Sequence, residues 1–339
     1  MPRLPRPREL KPYPNQLCLQ FLGHKKAVHS ISISPDGQYL ASASADQCVR
    51  LWEMDTALCV RVWKFAKPVV SVQFNPNPSY HLLAAVVNES VVFIATGTGE
   101  EDATELTEGL LQQAEEFARS QDGADEEIRW TLFSEDEENA NGTNEDAAVK
   151  RYREEWMGAK VGPRVSLVFK DALSSAQWHY KGDYIVTLRP EAGAAAICIH
   201  QLSKGKTQKP FSKGVGRVQA VCFHPSRPFL FVATQQHVKV YNLVEQKMVK
   251  KLLSGCKWLS SMNVHSSGDH VIVGSYDRRV VWFDLDLSSS PYKTLKFHDK
   301  AVRAVTTHKR YPLMASASDD GTVQIFHSTV YRFYFSPLK

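Results

Sequence analysis

The chain has 339 residues, 43% of them apolar, and no apolar run approaches the roughly 18 residues of a membrane-spanning helix, so the sequence predicts a soluble protein with no membrane partner. Its six cysteines show neither a CxxC pair nor zinc-ligand spacing, which argues against a disulfide framework or a zinc site and fits a reducing compartment. The net charge of +5 hides an uneven distribution: Glu100 to Glu155 holds 19 acidic and 5 basic residues, leaving 36 basic against 17 acidic elsewhere, a body that attracts polyanions or an acidic protein partner.

Residues 1–15 form an extended basic lead-in with Arg3, Arg6, Arg8 and Lys11 and no apolar core of a secretory signal. Beyond it, residues 28–33 and 49–52 alternate with period two, and "SPDG" at 34–37 supplies the residues of a tight turn, so successive antiparallel strands are expected. Taking the last strand residue before each turn as an anchor, the same unit recurs at 33, 74, 178, 223, 264 and 307, with separations of 41, 104, 45, 41 and 43 residues. A period of 40 to 45 residues with four short strands per unit is the signature of a β-propeller blade. The expected fold is therefore all-β, a propeller over 16–339 with six recognisable blades. "QLCLQFL" at 16–22 is a candidate closing strand, either completing a six-bladed ring by pairing with the blade at 300–326 and removing a free sheet edge, or belonging with a further blade.

The long separation is one period plus an insertion, the acidic segment 97–160. Its low apolar density predicts a largely disordered loop. Within it, "TELTEGLLQQAEEFARS" at 104–120 has Leu106, Leu110, Leu111 and Phe117 at helical spacing and predicts one amphipathic helix capped by Thr104.

Two hairpins carry a polar set. His24 lies 22 residues before Asp46, with Ser44 two before that aspartate and Trp52 six after it; His298, Ser318, Asp320 and Phe326 repeat the spacing. In a third hairpin Ser275 and Asp277 remain without the histidine. The aspartate is expected in the turn between the second and third strands, accepting from the imidazole, with the serine hydroxyl and the indole extending a network that locks the blade. His, Ser and Asp also make up a hydrolase triad, but recurrence at blade spacing points to structure rather than catalysis.

Three places stand out for binding. "SKGKTQKPFSKGVGR" at 203–217 carries Lys204, Lys206, Lys209, Lys213 and Arg217 with no acid, a basic loop suited to phosphates. Trp258, in the lead-in to a first strand, aligns with Ala27 and Ala301, where a large ring can anchor a partner or stack a base. Arg278 and Arg279 follow Asp277 where the other hairpins have Gln47 and Gly321, and adjacent guanidinium groups in a turn suit carboxylate or phosphate.

"GH" at 23–24 followed by "SASADQCVRLW" resembles the WD-repeat unit, "SASDDGTVQIF" at 316–326 resembles it again, and "GSYDRRVVWF" is a partial copy. Over nearly the whole chain, stretches such as "FHPSRPFLFVATQQHVKVYNL" and the lead-in "PRELKPYP" resemble the C-terminal propeller of the block-of-proliferation ribosome-biogenesis proteins. The resemblance implies a non-enzymatic nucleolar scaffold for large-subunit maturation, without cofactor. It implies three partners: a pescadillo-family protein, chiefly through a family region preceding the propeller and not part of this sequence, the second WD-repeat protein of the PeBoW complex, and precursor ribosomal RNA. It also implies seven blades; with 13 residues after Phe326, the last one is expected to be missing. A general WD-repeat adaptor, for example in ubiquitination, would bind protein without RNA. A propeller hydrolase would need a cluster of acidic metal ligands, which the sequence does not show.

Overall fold

Short runs of β-branched and aromatic residues, punctuated every few positions by Gly, Pro, Asn or Asp, fold into six antiparallel sheets with consecutive strands as neighbours. The computed structural model describes residues 16–120, 127–133, 161–327 and 335–338. These divide into two compact units: Leu19–Gly214, and Val215–Lys339 with Met1–Cys18. The protein is an all-β propeller of six blades, three in each unit.

In the first unit, blade 1 comprises β1 (Val28–Ile33), β2 (Tyr39–Ser44), β3 (Cys48–Glu53) and β4 (Cys59–Lys64). Blade 2 begins with β5 (Val69–Phe74), β6 (Leu82–Val87) and β7 (Ser90–Ala95), followed by helix α1 (Glu101–Ser120) and β8 (Ile128–Leu132). Its fourth strand, β9 (Gly162–Phe169), pairs with β7, and β8 adds a fifth strand on its outer edge. Blade 3 is β10 (Ser175–Trp178), β11 (Tyr184–Leu188), β12 (Ile197–Gln201) and β13 (Lys206–Gln208).

In the second unit, blade 4 is β14 (Val218–Phe223), β15 (Phe229–Thr234), β16 (His237–Asn242) and β17 (Lys247–Leu253). Blade 5 is β18 (Leu259–Val264), β19 (His270–Ser275), β20 (Val280–Asp284) and β21 (Lys293–Leu295). Blade 6 is β22 (Val302–Thr307), β23 (Leu313–Ser318), β24 (Val323–His327) and β25 (Phe335–Leu338). The six anchors Ile33, Phe74, Trp178, Phe223, Val264 and Thr307 are the last residues of the six first strands, so the period read from the sequence is the blade period.

Two expectations need correction. Residues 16–22 form no strand, and the fourth strand of blade 6 is β25, from the same blade's own continuation. Phe21 instead sets its ring edge-on to Trp52 at 5.9 Å, and Gly23 lets the backbone pass where a Cβ would meet Arg50 and that indole. Within the acidic insertion the expected helix is present, but its start differs. Helix α1 begins at Glu101, ahead of Thr104, whose hydroxyl donates back to the Glu100 carbonyl from within the helix rather than capping it. Leu110, Leu111 and Ala114 are buried in the core of blades 2 and 3, while Leu106 stays exposed. Arg164 of β9 reaches Glu108 at 3.1 Å and Glu115 at 2.6 Å, neutralising the acids that face the sheet. The stretches 121–126 and 134–160, like the lead-in 1–15, lie outside the described residues.

Within each unit, first strands pack on the preceding blade: Val69 and Val72 of β5, Leu259 and Met262 of β18, and Val302 and Val305 of β22 are all buried. Each such side chain contributes about 1.5–3 kcal/mol of burial. Blade 1 departs from the pattern, since the same positions, Val28 and Ile31, are 48% and 65% exposed. Among the described residues, this face of β1 is exposed and apolar.

Candidate binding surface

The geometry of the hairpin turns decides which side chains reach the surface. In blade 1 the Asp46 carboxylate accepts from the backbone N–H of Lys25 at 3.0 Å and of Cys48 at 3.1 Å, tying the lead-in of β1 to the β2–β3 turn. In blade 6 Asp320 does the same for Asp299 and Thr322, and in blade 5 Asp277 accepts from Lys257. The turn residue after each aspartate has a left-handed backbone: φ is +70° at Gln47, +64° at Arg278 and +80° at Gly321. Burial pushes the Asp46 carboxyl up, but His24 and the two amides outweigh it and hold the group below the usual carboxylate range. Asp320 is held far below that range by the Thr322 and Asp299 donors and His298, against an opposing burial effect.

The histidine network is present with one substitution of partner. His24 Nδ1 lies 2.9 Å from Asp46, but its Nε2 meets Ser42 at 2.7 Å, not Ser44. The Trp52 indole donates to the same Ser42 oxygen at 2.8 Å. Every group is satisfied when the indole donates to Ser42, Ser42 to Nε2, and Nδ1–H to Asp46. In blade 6 Ser316, not Ser318, takes this place, 2.7 Å from His298 Nε2. Ser44, Ser275 and Ser318 are turn residues: each accepts the amide of its own aspartate. Ser44 and Ser275 also donate to the carbonyls of Lys26 and Trp258. Ser42 and Ser316 are only 4% and 2% exposed, so neither hydroxyl can meet a substrate, and the triad-like geometry is a fastening.

The basic loop is less free than its composition indicates. Lys209 pairs with Glu127 at 2.5 Å, and that pairing, helped by Arg189, holds the Glu127 carboxyl below its usual range. Lys204 lines a shallow cleft of about 340 Å³ with Glu116, Phe117 and Ser203. Lys206 on β13 and Lys213 are exposed. Arg217, which belongs to the second unit, lies over the Trp258 ring, its Cζ 5.4 Å from the centroid.

That contact starts a row. Trp258, half-buried, stands edge-on to Tyr276 at 6.1 Å, and Arg303 covers Tyr276 at 5.0 Å while its guanidinium grips Asp319 at 2.7 Å. The backbone places the two rings: Tyr276 N–H donates to the Trp258 carbonyl as Ala45 does to Ala27 and Asp319 to Ala301, the alignment expected from the sequence. Arg278 is exposed at the tip of this turn, and Arg279 turns back toward the Gly255 carbonyl at 3.4 Å. Of the candidates, Arg217, Trp258, Arg278 and Arg279 thus share one edge of blades 4 and 5, whereas the four lysines belong to the other unit.

Sequence reading missed Tyr276, which sits within the partial repeat copy where the other two have Ala45 and Asp319, Arg303, which lies outside the repeated motifs, and two buried polar groups. Arg189 is fully buried, bound to Glu127 at 3.3 Å, Asp171 at 3.5 Å and the Ala195 carbonyl at 2.8 Å, over the Phe169 ring. His200 is fully buried between Thr187 and Thr207, each 2.8 Å away. Burial, helped by Arg189, pushes its pKa down to about 3. A lone histidine inside the apolar run "ICIHQ" was the available signal.

The family profile of the WD domain, G-beta repeat, matches residues 15–53 and 289–327, the regions of blades 1 and 6 that carry the full histidine network. The chain is 42% identical over 332 residues to the ribosome biogenesis protein bop1 of Danio rerio, covering 98% of this chain and 40% of that protein. It is 42% identical to BOP1 of Homo sapiens, covering 98% and 41%, and 41% identical to the BOP1 homolog of Oryza sativa subsp. japonica, covering 97% and 45%. It therefore spans about two fifths of the length of these curated relatives. Similarity along essentially all of this chain, together with the repeat fold, makes it a WD-repeat member of the BOP1 family.

Proposed function

We propose that this propeller is a non-enzymatic scaffold in ribosome biogenesis, working in the nucleolus on the large subunit. The observation that carries the reading is the similarity of 98% of the chain to proteins named for ribosome biogenesis. The propeller docks the second WD-repeat protein of the PeBoW complex and contacts precursor ribosomal RNA, while a pescadillo-family protein engages the assembly chiefly outside this stretch. The excess of 36 basic over 17 acidic residues outside 100–155 supports an RNA contact, because each phosphate bound by Lys or Arg releases counterions.

The test is binding of the purified chain to ribosomal RNA and to the partner WD-repeat protein across a salt series, with circular dichroism melting as the folding control. The scaffold reading expects tight partner binding and RNA affinity that falls steeply with salt. Partner binding that ignores salt, with no RNA affinity, would move the protein to the class of general WD-repeat adaptors. A folded chain that binds neither would overturn the assignment.

A further inference from the structure

The second unit presents planar cations and aromatic rings in alternation: Arg217, Trp258, Tyr276, Arg303. The repeat does not call for these rings, since the blades with full networks have Ala27 or Ala301 where Trp258 stands and Ala45 or Asp319 where Tyr276 stands. Nor does the core, since Tyr276 is 39% exposed and Arg217 and Arg303 are exposed beside it. The charges around the row are unbalanced. Asp319 is gripped by Arg303 through both carboxylate oxygens, and Asp277 is occupied by the Lys257 amide. By contrast, Arg217, the Lys257 ammonium and Arg278 make no ion pair with the described residues, and all three are exposed.

Acidic peptide would answer the cations and leave the rings without a role. Duplex RNA would present phosphates but keep its bases stacked on each other. Unpaired RNA answers both, because exposed bases stack on tyrosine and on guanidinium planes while the backbone lies along the cations. We propose that the row Arg217–Trp258–Tyr276–Arg303 is a seat for single-stranded RNA, with Tyr276 stacking a base and Arg217, Lys257 and Arg278 holding the backbone. This rests on the RNA-contact reading above and specifies where and in what form the RNA is held.

The experiment is fluorescence anisotropy on the full chain with a labelled oligouridylate of about twelve nucleotides, the scale of one single-strand site, and a duplex RNA of equal length. The single strand should bind more tightly than the duplex. Tyr276→Ala should weaken it roughly tenfold, the loss of one stacked base, with an unchanged salt slope, and Tyr276→Phe should restore it. Arg217→Gln should lower the slope of log affinity against log salt by about 0.7, one phosphate contact on a single strand. The comparison variant combines Lys204→Gln, Lys206→Gln and Lys213→Gln. If it loses RNA while Tyr276→Ala and Arg217→Gln bind normally, the row is overturned as the seat and the RNA reading stands. If the unaltered, folded chain binds neither RNA at low salt, the RNA reading falls as well. If Tyr276→Ala keeps RNA but loses the partner WD-repeat protein, the row is a protein interface and the proposal is overturned.

Discussion

The hydroxyl of Ser42 lies 2.7 Å from Nε2 of His24, and Ser316 stands at the same distance from His298. The shared serine position makes the network a chain of four groups in blade 1, ending at the Trp52 indole.

Ser42→Ala should therefore leave the His24 Nε2 and the Trp52 indole N–H without a partner inside the blade, while Nδ1 keeps Asp46, at a cost of about 2–3 kcal/mol. Ser44→Ala loses only turn hydrogen bonds and should cost about 1 kcal/mol. Urea denaturation of the two variants gives the order; equal costs would contradict the assignment of Ser42.

The pH dependence follows from the histidines. His200, with its pKa near 3, and His179, His224 and His265, each lowered chiefly by burial, are favoured in the neutral form by the fold. In the unfolded chain they protonate near pH 6.5. Their contribution is complete above about pH 6.5 and is lost as pH falls toward the folded values, the unfolded state binding more protons in that window. His200 alone should give a slope of about 1.4 kcal/mol per pH unit below pH 6. The Nδ1 atoms of His224 and His265 accept turn amides, which a proton there would end. Denaturation at pH 7.5, 6 and 5 checks the slope, and His200→Gln should flatten it.

Arg164→Ala should loosen helix α1 on blade 2, because Glu108 then faces the sheet without its cation and Glu115 keeps only Arg119 of its own helix. The expected cost is about 2 kcal/mol, since the pair is partly rather than fully desolvated. Hydrogen exchange should rise over 101–120 first and leave β5 to β7 protected.

The exposed face of β1 gives a direct comparison between equivalent positions. Ile31 is 65% exposed and Val72, its counterpart in β5, is fully buried. Ile31→Lys should change stability by less than about 0.5 kcal/mol, whereas Val72→Lys should cost more than about 4 kcal/mol. A large loss at Ile31 would mean that this face is covered in solution.

The blade period was legible because the last residue of each first strand precedes a turn rich in Pro, Gly, Asn or Ser, and such turns recur in the sequence without any tertiary contact. Ser42 and Ser44 could not be told apart, since alternate strand positions point to one face and periodicity treats them alike. The helix in the insertion was legible from its leucine spacing, but its docking on blade 2 was not. Glu108 and Glu115 read as solvent-facing acids until Arg164, 49 residues beyond Glu115, supplies the compensating charge. Of the binding candidates, Trp258 stood out because blades 1 and 6 have alanine there; Tyr276, where those blades have Ala45 and Asp319, carried a similar signal, and Arg303 reaches it only when blades 5 and 6 pack.

The scaffold account is tested most directly by sedimentation of the tagged chain from cell extract through a sucrose gradient, probed for large-subunit precursor RNA. The account predicts that the chain travels with the precursor particles and that high salt shifts it toward the top of the gradient. A folded chain found only at the top at low salt, free of precursor RNA, would contradict it.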